Sequence, residues 1–369
     1  VLLALGGERS QIEGSIKYVT LNLISSAIFL SAIGFTYAMT GALNLARLAE
    51  LIPHLSLEQK SLLAVLYLTA FGIKAGLFPL FFWLPASYHT PPASVSAIFA
   101  GLLTKVGVYT LIRFFTLLFN DLVFFDHVLL ILACLTMLTG VLGAASQMEF
   151  RRILSFHIIS QIGYMVLGLS LKTPLALLSS VFYITHHILV KTNLFLVSGL
   201  SHRLTGHYDL RRLGGLYRRY PILSLCFAIS AFSLGGLPPL SGFFAKVLVI
   251  QAALETHHYW AAGLALFVGF LTLYSMTKIW SKGFWEKGQD FQEETLSTQL
   301  TPPTPGERRW MLLPMITLSL LTLSLGLGAS KLYDYSQKVA EDLKNPQSYI
   351  QLVLYQNQSN GTKTNLQEE

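Results

Sequence analysis

Four lysines of this chain stand inside apolar stretches: Lys74 in FGIKAGLFPLFFWLP, Lys105 in GLLTKVGVYTLIR, Lys191 in HHILVKTNLFL and Lys246 in GFFAKVLVI. Lysine is a cation whose charge can be switched. Burial disfavours the ammonium and favours the neutral amine, whereas water or a nearby carboxylate restores the charge. Arginine stays charged and cannot serve this way. His186 and His187 precede Lys191. His187 lies four residues before Lys191 and shares a helix face with it, while His186 points about 100° away. A histidine titrates near neutral pH and can hand protons on. Adjacent histidines on a regular helix cannot both face one metal, so zinc is the weaker chemistry for this pair. The types and spacings point to a path for protons or ions.

Such residues need elements that keep them from bulk water. The chain has 369 residues, 53% of them hydrophobic and 12% charged, with mean hydropathy +0.54. Soluble domains carry roughly twice that charge. Apolar runs of about twenty residues recur along the chain, each long enough to cross a bilayer as a helix. The fold class is an all-α polytopic membrane protein; the alternating pattern of a β-barrel is absent. Cys134 and Cys226 sit alone in apolar runs and read as small core hydrophobes. The net charge of +7 fits basic cytoplasmic loops better than a nucleic-acid partner.

The opening VLLALGGERSQ begins with Val and reads as the end of a helix cut in its middle. The chain is thus expected to lack amino-terminal helices. The complete spans expected are 16–39, a broken helix at 61–83, 93–118, 123–145, 153–171, 175–202, a second broken segment at 222–253, 260–280 and 310–327. Alternate loops then fall on one side, A, with Arg9, Lys17, Arg151, Arg152, Arg203, Arg211, Arg212, Arg218, Arg219, Lys282, Lys287, Arg308 and Arg309. Side B has only Arg47, Lys60, Arg113 and Lys172 before the tail. Basic residues mark the cytoplasmic side, so side A is cytoplasmic and the carboxyl terminus outside. The polar tail from Lys331 starts as a short amphipathic surface helix and ends in disorder.

The broken helices carry the most information. KAGLFPLFFWLP and GGLPPLSGFFAK each join a proline-interrupted helix to a lysine. Paired interruptions in corresponding halves mark a transporter built from repeats. Backbone groups freed at a break are tolerated only where protein or water covers them. Each mid-membrane lysine costs about 3 kcal/mol on insertion scales. Four such positions sum to roughly 12 kcal/mol, too much for idle retention. No Asp or Glu falls at mid-span, so the path lacks a buried acid of its own. Thr104, Ser94, Ser96, Ser155, Ser160, Gln161, Thr185, Asn193, Ser198 and Ser241 are small polar groups that can hold water along it.

FGIKAGLFPLFFWLPASYHTPPASVSAIFAGLLTKVGVYTLIRF, HHILVKTNLFLVSG and LGGLPPLSGFFAK together resemble the antiporter-like membrane subunits shared by respiratory complex I, membrane-bound hydrogenases and Mrp cation/proton antiporters. FWLPASYHTPPASVSA and DLKNPQSYIQLVL resemble the D-type member of the Mrp branch. The resemblance implies an inverted-repeat bundle of fourteen helices, with five-helix repeats and a central hydrophilic axis. Here 1–145 would be the remainder of the first repeat, with its broken helix at 61–92 plus the following span. The second repeat would be 146–283, with its break in 222–253, and 284–369 a final helix and outer tail. The resemblance makes Lys74, Lys105, His187, Lys191 and Lys246 the proton relay, with His186 a further member. It places the glutamate that pairs with Lys74 upstream of Val1. It implies partner subunits, exchange of protons for sodium, and the bacterial plasma (inner) membrane with its lipids.

Two other readings compete: a proton-pumping subunit of a redox-driven complex, and a structural scaffold with a vestigial path. The sequence has no ligand set for haem, flavin or an iron–sulfur cluster, so no cofactor is expected. The absence of mid-span acids makes one geometric prediction. In a structure of this chain, no Asp or Glu oxygen should lie within about 4 Å of the Lys74 ammonium. A salt bridge to Glu50 or Glu58 would overturn it.

Overall fold

Polar residues start the apolar runs as helices. Ser56 and Gln59 form a reciprocal capping box before one run, and Thr304 and Glu307 form another. Asn44, Glu149 and Thr173 accept hydrogen bonds from first-turn amides of three more. Each cap satisfies amides that the helix itself leaves unpaired.

The computed structural model describes residues 2–286 and 303–354. After a short 3-10 turn, Leu2–Ala4, the helices are α1 (Arg9–Thr40), α2 (Leu45–Leu51), α3 (Leu57–Ala75), α4 (Trp83–Tyr88), α5 (Ala93–Ile98), α6 (Thr104–Leu117), α7 (Val123–Ser146) and α8 (Phe150–Leu171). Then come α9 (Pro174–Thr205), α10 (Leu216–Arg219), α11 (Pro221–Gly235), α12 (Ser241–Glu255), α13 (Tyr259–Ile279), α14 (Pro305–Leu327), α15 (Ala329–Lys344) and α16 (Gln347–Leu354). Among the described residues there is no strand, only one isolated bridge between Glu149 and Asp209. Seven helical segments are long and apolar enough to cross a membrane. The broken pairs α3–α4 and α11–α12 add two crossings. The chain is a multi-pass membrane protein.

Loop contacts gather the connections at two opposite ends. At one, Arg151 donates to the carbonyl of Pro91 at 2.6 Å, Leu210 N–H to Met148 at 2.9 Å, and Gly215 N–H to Glu286 at 2.8 Å. At the other, Lys60 pairs with Asp121 and Lys172 with Asp126. These are the two sides expected from alternation. Large apolar residues such as Leu30, Phe124, Phe270 and Trp310 face outward. Ser155, His157, Ser160 and Gln161 of α8 are wholly enclosed. Apolar outside and polar inside suits a lipid surround.

Several boundaries differ from the sequence reading. α1 is longer than 16–39, because the polar start at Arg9 continues the helix. The 93–118 span contains a π turn at Phe99–Leu103. The expected surface helix of the tail is α15, whose Leu332, Ser336, Ala340 and Leu343 are buried while its charged residues face out. It packs on α9 and α6, and α16 rests on α2. The Arg113 guanidinium lies 4.1 Å over the Tyr349 ring. Lys287 and the expected disorder of 355–369 lie outside the described residues.

α9 is the hub: it touches α5, α8, α11, α12, α14 and α15. α8 is pressed against α7 through glycines. A Cβ on Gly140 would fall 2.3 Å from the Ser160 amide nitrogen, and one on Gly163 would fall 2.7 Å from the Ala133 carbonyl. Membrane helices associate by such close backbone approach. Gly140→Leu should therefore lower the thermal midpoint and the yield of detergent-extracted protein, since overpacking costs about 1–3 kcal/mol. Gly34→Ala, with open space around the new methyl, should change neither.

Candidate functional site

The two breaks have the same local design. α3 ends at Gly76, φ 83°, and the amides of Gly76 and Leu77 both donate to the Gly72 carbonyl at 2.9 Å. α11 ends at Gly236, φ 91°, and the amides of Gly236 and Leu237 both donate to Phe232 at 3.0 Å. In each the chain then turns with a further bond, Leu80 N–H to Leu77 and Leu240 N–H to Leu237. The αL cap requires glycine, and proline prevents the helix from continuing. GLFPL and GLPPL therefore fold alike.

Their lysines, however, stand on opposite sides of the breaks. Lys74 precedes Gly76, whereas Lys246 follows Gly236 and folds back. Its ammonium donates to the Gly235 carbonyl at 2.9 Å and lies 5.7 Å from the centre of the Tyr164 ring. A Cβ on Gly236 would meet the Lys246 Cδ at 2.9 Å, so glycine is needed there for space as well as for φ. The carbonyl end of α11 carries partial negative charge and suits a cation.

Lys105 and Lys191 are held by the same means. Lys105 donates to the Ala100 carbonyl, inside the π turn, and to the Thr104 hydroxyl at 3.3 Å. Lys191 is fully enclosed and donates to the Leu154 carbonyl of α8 at 3.0 Å. Gly101 lets the π turn press on α9: a Cβ there would sit 2.2 Å from the Thr192 hydroxyl. Backbone carbonyls, not carboxylates, hold these ammonium groups. Among the described residues every ion pair lies near a helix end or in a loop, and none includes Lys74, Lys105, Lys191 or Lys246. The absence of an acid beside Lys74 is as expected.

The adjacent histidines divide as the 100° offset requires. His187 lies in electrostatic reach of Lys105, Lys191, His186 and His157. His186 faces the other way, with Nδ1 2.9 Å from the Ser241 hydroxyl at the start of α12 and with Lys246 in electrostatic reach. The structure thus brings Lys105, His187, Lys191, His186 and Lys246 into one enclosed band.

Lys74 differs from the expectation of a buried cation. It is partly exposed: it stands in the last turn of α3, and its ammonium reaches the Ser26 hydroxyl of α1 at 3.5 Å. Most of α1 is itself uncovered among the described residues.

His157 joins the band and is missing from the sequence-based set. It is fully buried on α8, with Lys191 and Lys246 in electrostatic reach. Both its ring nitrogens, and both of His187, lack a hydrogen-bond partner. So do the Ser160 hydroxyl and the Gln161 amide nitrogen. Buried polar groups of this kind are ordinarily satisfied by ordered water. The available signal was the i, i+3, i+4 spacing of His157, Ser160 and Gln161, which puts a polar stripe on an apolar helix. Asn193, by contrast, turns away from the band and donates to Ser230 and Ser319.

A polytopic helical bundle with two mid-helix breaks and an enclosed band of cations is the architecture of a membrane transport protein. The NADH:quinone oxidoreductase/Mrp antiporter transmembrane family matches residues 1–272, and the chain belongs to it. The chain is 48% identical over 358 residues to the D-type subunit of the Na(+)/H(+) antiporter of Alkalihalophilus pseudofirmus, covering 96% of this chain and 70% of that one. Its fold is similar to a chain of the Mrp complex from Dietzia, with a TM-score of 0.85 at 33% identity, covering 94% of this chain and 71% of that one. It is also similar to a chain of respiratory complex I from Thermus thermophilus, with a TM-score of 0.72 at 26% identity, covering 90% and 70%.

Burial of an unpaired ammonium opposes folding, so removing it should relieve the fold. Lys191→Met should leave the thermal midpoint of the purified assembly unchanged or raise it, unlike an ordinary core substitution. A fall of several degrees would give Lys191 a structural role instead.

Proposed function

We propose that this chain is the D-type subunit of a multi-subunit cation/proton antiporter of the bacterial plasma membrane, exchanging protons for sodium. The single observation that carries the reading is the enclosed band of switchable cations running from Lys105 through α9 to Lys246. Its members are close enough to feel one another's charge. None is neutralised by a carboxylate among the described residues. A proton added at one member therefore raises the cost of charge at the next, which is what a relay needs. Lys74, Lys105, His187, Lys191 and Lys246 carry it, with His186 and His157 as further members. Lys74, at the open edge, is where an acid from outside the described residues would act.

The matching breaks support the repeat boundaries at 1–145 and 146–283, with 284–369 as the final helix and outer tail. α3 and α11 enter from opposite sides, as inverted repeats require. Membership of a redox-driven pump is the second reading, favoured by the likeness to a complex I chain. The 48% identity to an antiporter subunit against 26% to that chain favours the first.

Side A, with its basic loops, faces the cytoplasm, and the carboxyl terminus lies outside. Arg211 is exposed on that side. An Arg211→Cys variant should react with an impermeant thiol reagent in inverted vesicles and not in intact cells. Labelling in intact cells would reverse the orientation.

The relay is tested in the complete complex with a ΔpH dye in vesicles. Lys74→Ala and Lys246→Ala should abolish antiport while the subunits still co-purify. A wild-type rate in either would remove the relay.

A further inference from the structure

The second break holds a hydrogen-bond chain that runs from a backbone amide to His186. The Gly242 amide, in the first turn of α12, lies 3.3 Å from the Ser233 hydroxyl oxygen. The Ser233 and Ser241 hydroxyls are 3.2 Å apart. The Ser241 hydroxyl is 2.9 Å from His186 Nδ1. A backbone N–H can only donate, so Ser233 accepts at this link. Ser233 keeps a second lone pair, so its own proton can point to Ser241 or away from it. Where Ser241 donates, a neutral His186 accepts at Nδ1 and carries its proton on Nε2; where Ser241 accepts, Nδ1 carries the proton.

No side chain intervenes to loosen the arrangement. A Cβ on Gly242 would lie 1.8 Å from the Ser233 carbonyl oxygen and 2.9 Å from His186 Cε1. The three groups are in close contact because residue 242 is glycine. The side chains are enclosed: Ser233 and Ser241 have no exposed surface and His186 is 1% exposed.

We infer that Ser241 is a positioning residue that holds the His186 ring through Nδ1 and, with Ser233, ties its proton exchange to the second helix break. When His186 takes a second proton, both ring nitrogens must donate. Nδ1–H then donates to Ser241, the Ser241 proton turns to Ser233, and the Ser233 proton turns to a carbonyl of its own helix. No covalent bond to carbon changes; one proton is gained at the ring and two hydroxyls rotate. Ser233 lies two residues before Gly235, whose carbonyl holds the Lys246 ammonium. The two titratable groups of the second half are thereby linked through one short piece of backbone. Tyr183, edge-on to His186 at 5.9 Å on the same helix, His187 beside it and Lys246 on α12 are titratable neighbours.

This inference rests on the relay reading, and the experiment separates the two. Antiport is measured in vesicles containing the complete complex, with Ser241→Ala, Ser241→Thr and Lys246→Ala in parallel. Ser241→Ala should lower the maximal rate roughly tenfold, as loss of an orienting partner commonly does. The apparent KM for the cation should be unchanged. Ser241→Thr, which keeps the hydroxyl, should recover most of the rate. Wild-type rates in Ser241→Ala, or equal loss in Ala and Thr, would overturn the positioning role. Should Ser241→Ala not assemble, Ser241→Cys carries the test, because it fills the site with a weak donor; a wild-type rate there overturns the inference. Full activity in Lys246→Ala would instead remove the relay itself.

Discussion

An ammonium group withdrawn from water without a carboxylate to meet it is the constraint on which this molecule turns. The described structure answers it with backbone carbonyls. Lys246 uses the last turn of α11, Lys105 the π turn before α6, and Lys191 the carbonyl of Leu154. Regular helices have few carbonyls to spare, since each accepts the amide four residues on. The second break and the π turn release carbonyls, and Lys246 and Lys105 are held there. Lys191 instead shares a carbonyl of the regular helix α8.

α9 turns separate solutions into one site. Its neighbours include α11 and α12, which flank the second break, and the π turn before α6, and its two adjacent histidines face different partners. His187 looks toward Lys105, Lys191 and His157, and His186 toward Ser241 and the second break. One helical step of rotation is enough to divide the pair. The close seating of the neighbouring segments depends on small residues: Gly101 against Thr192, Gly242 against Ser233, and Gly140 against Ser160 in the supporting pair α7 and α8. Bulk at these points would separate the cations from each other and from their carbonyls.

The outside of the molecule follows the opposite rule. Large apolar residues face out, while basic and acidic residues collect at two ends, where they pair across loops. α15 and α16 run across one end, with charged residues outward and a row of small and apolar ones inward. They join α9 and α6 to α2 without entering the band.

Much of this was legible in the residues themselves. Apolar run length implies spanning helices, GLFPL and GLPPL imply breaks, and a buried lysine implies switchable charge. These are local properties, written in neighbours a few positions apart. The absence of mid-span acids in these residues was equally plain, and among the described residues no carboxylate pairs with Lys74. Contacts between distant segments were not legible. Nothing near His157 in sequence reveals that Lys191, more than thirty positions away, turns toward it from α9. The partial exposure of Lys74 depends on which face of α3 its neighbours leave open, and the partner of His186 Nδ1 is a serine of another helix. Sequence by itself determined the elements, their breaks and the charges they carry, because those follow from local propensity and hydrophobicity. Only the tertiary structure decided which charges meet and which carbonyl each one finds, because those are settled by how whole helix faces pack.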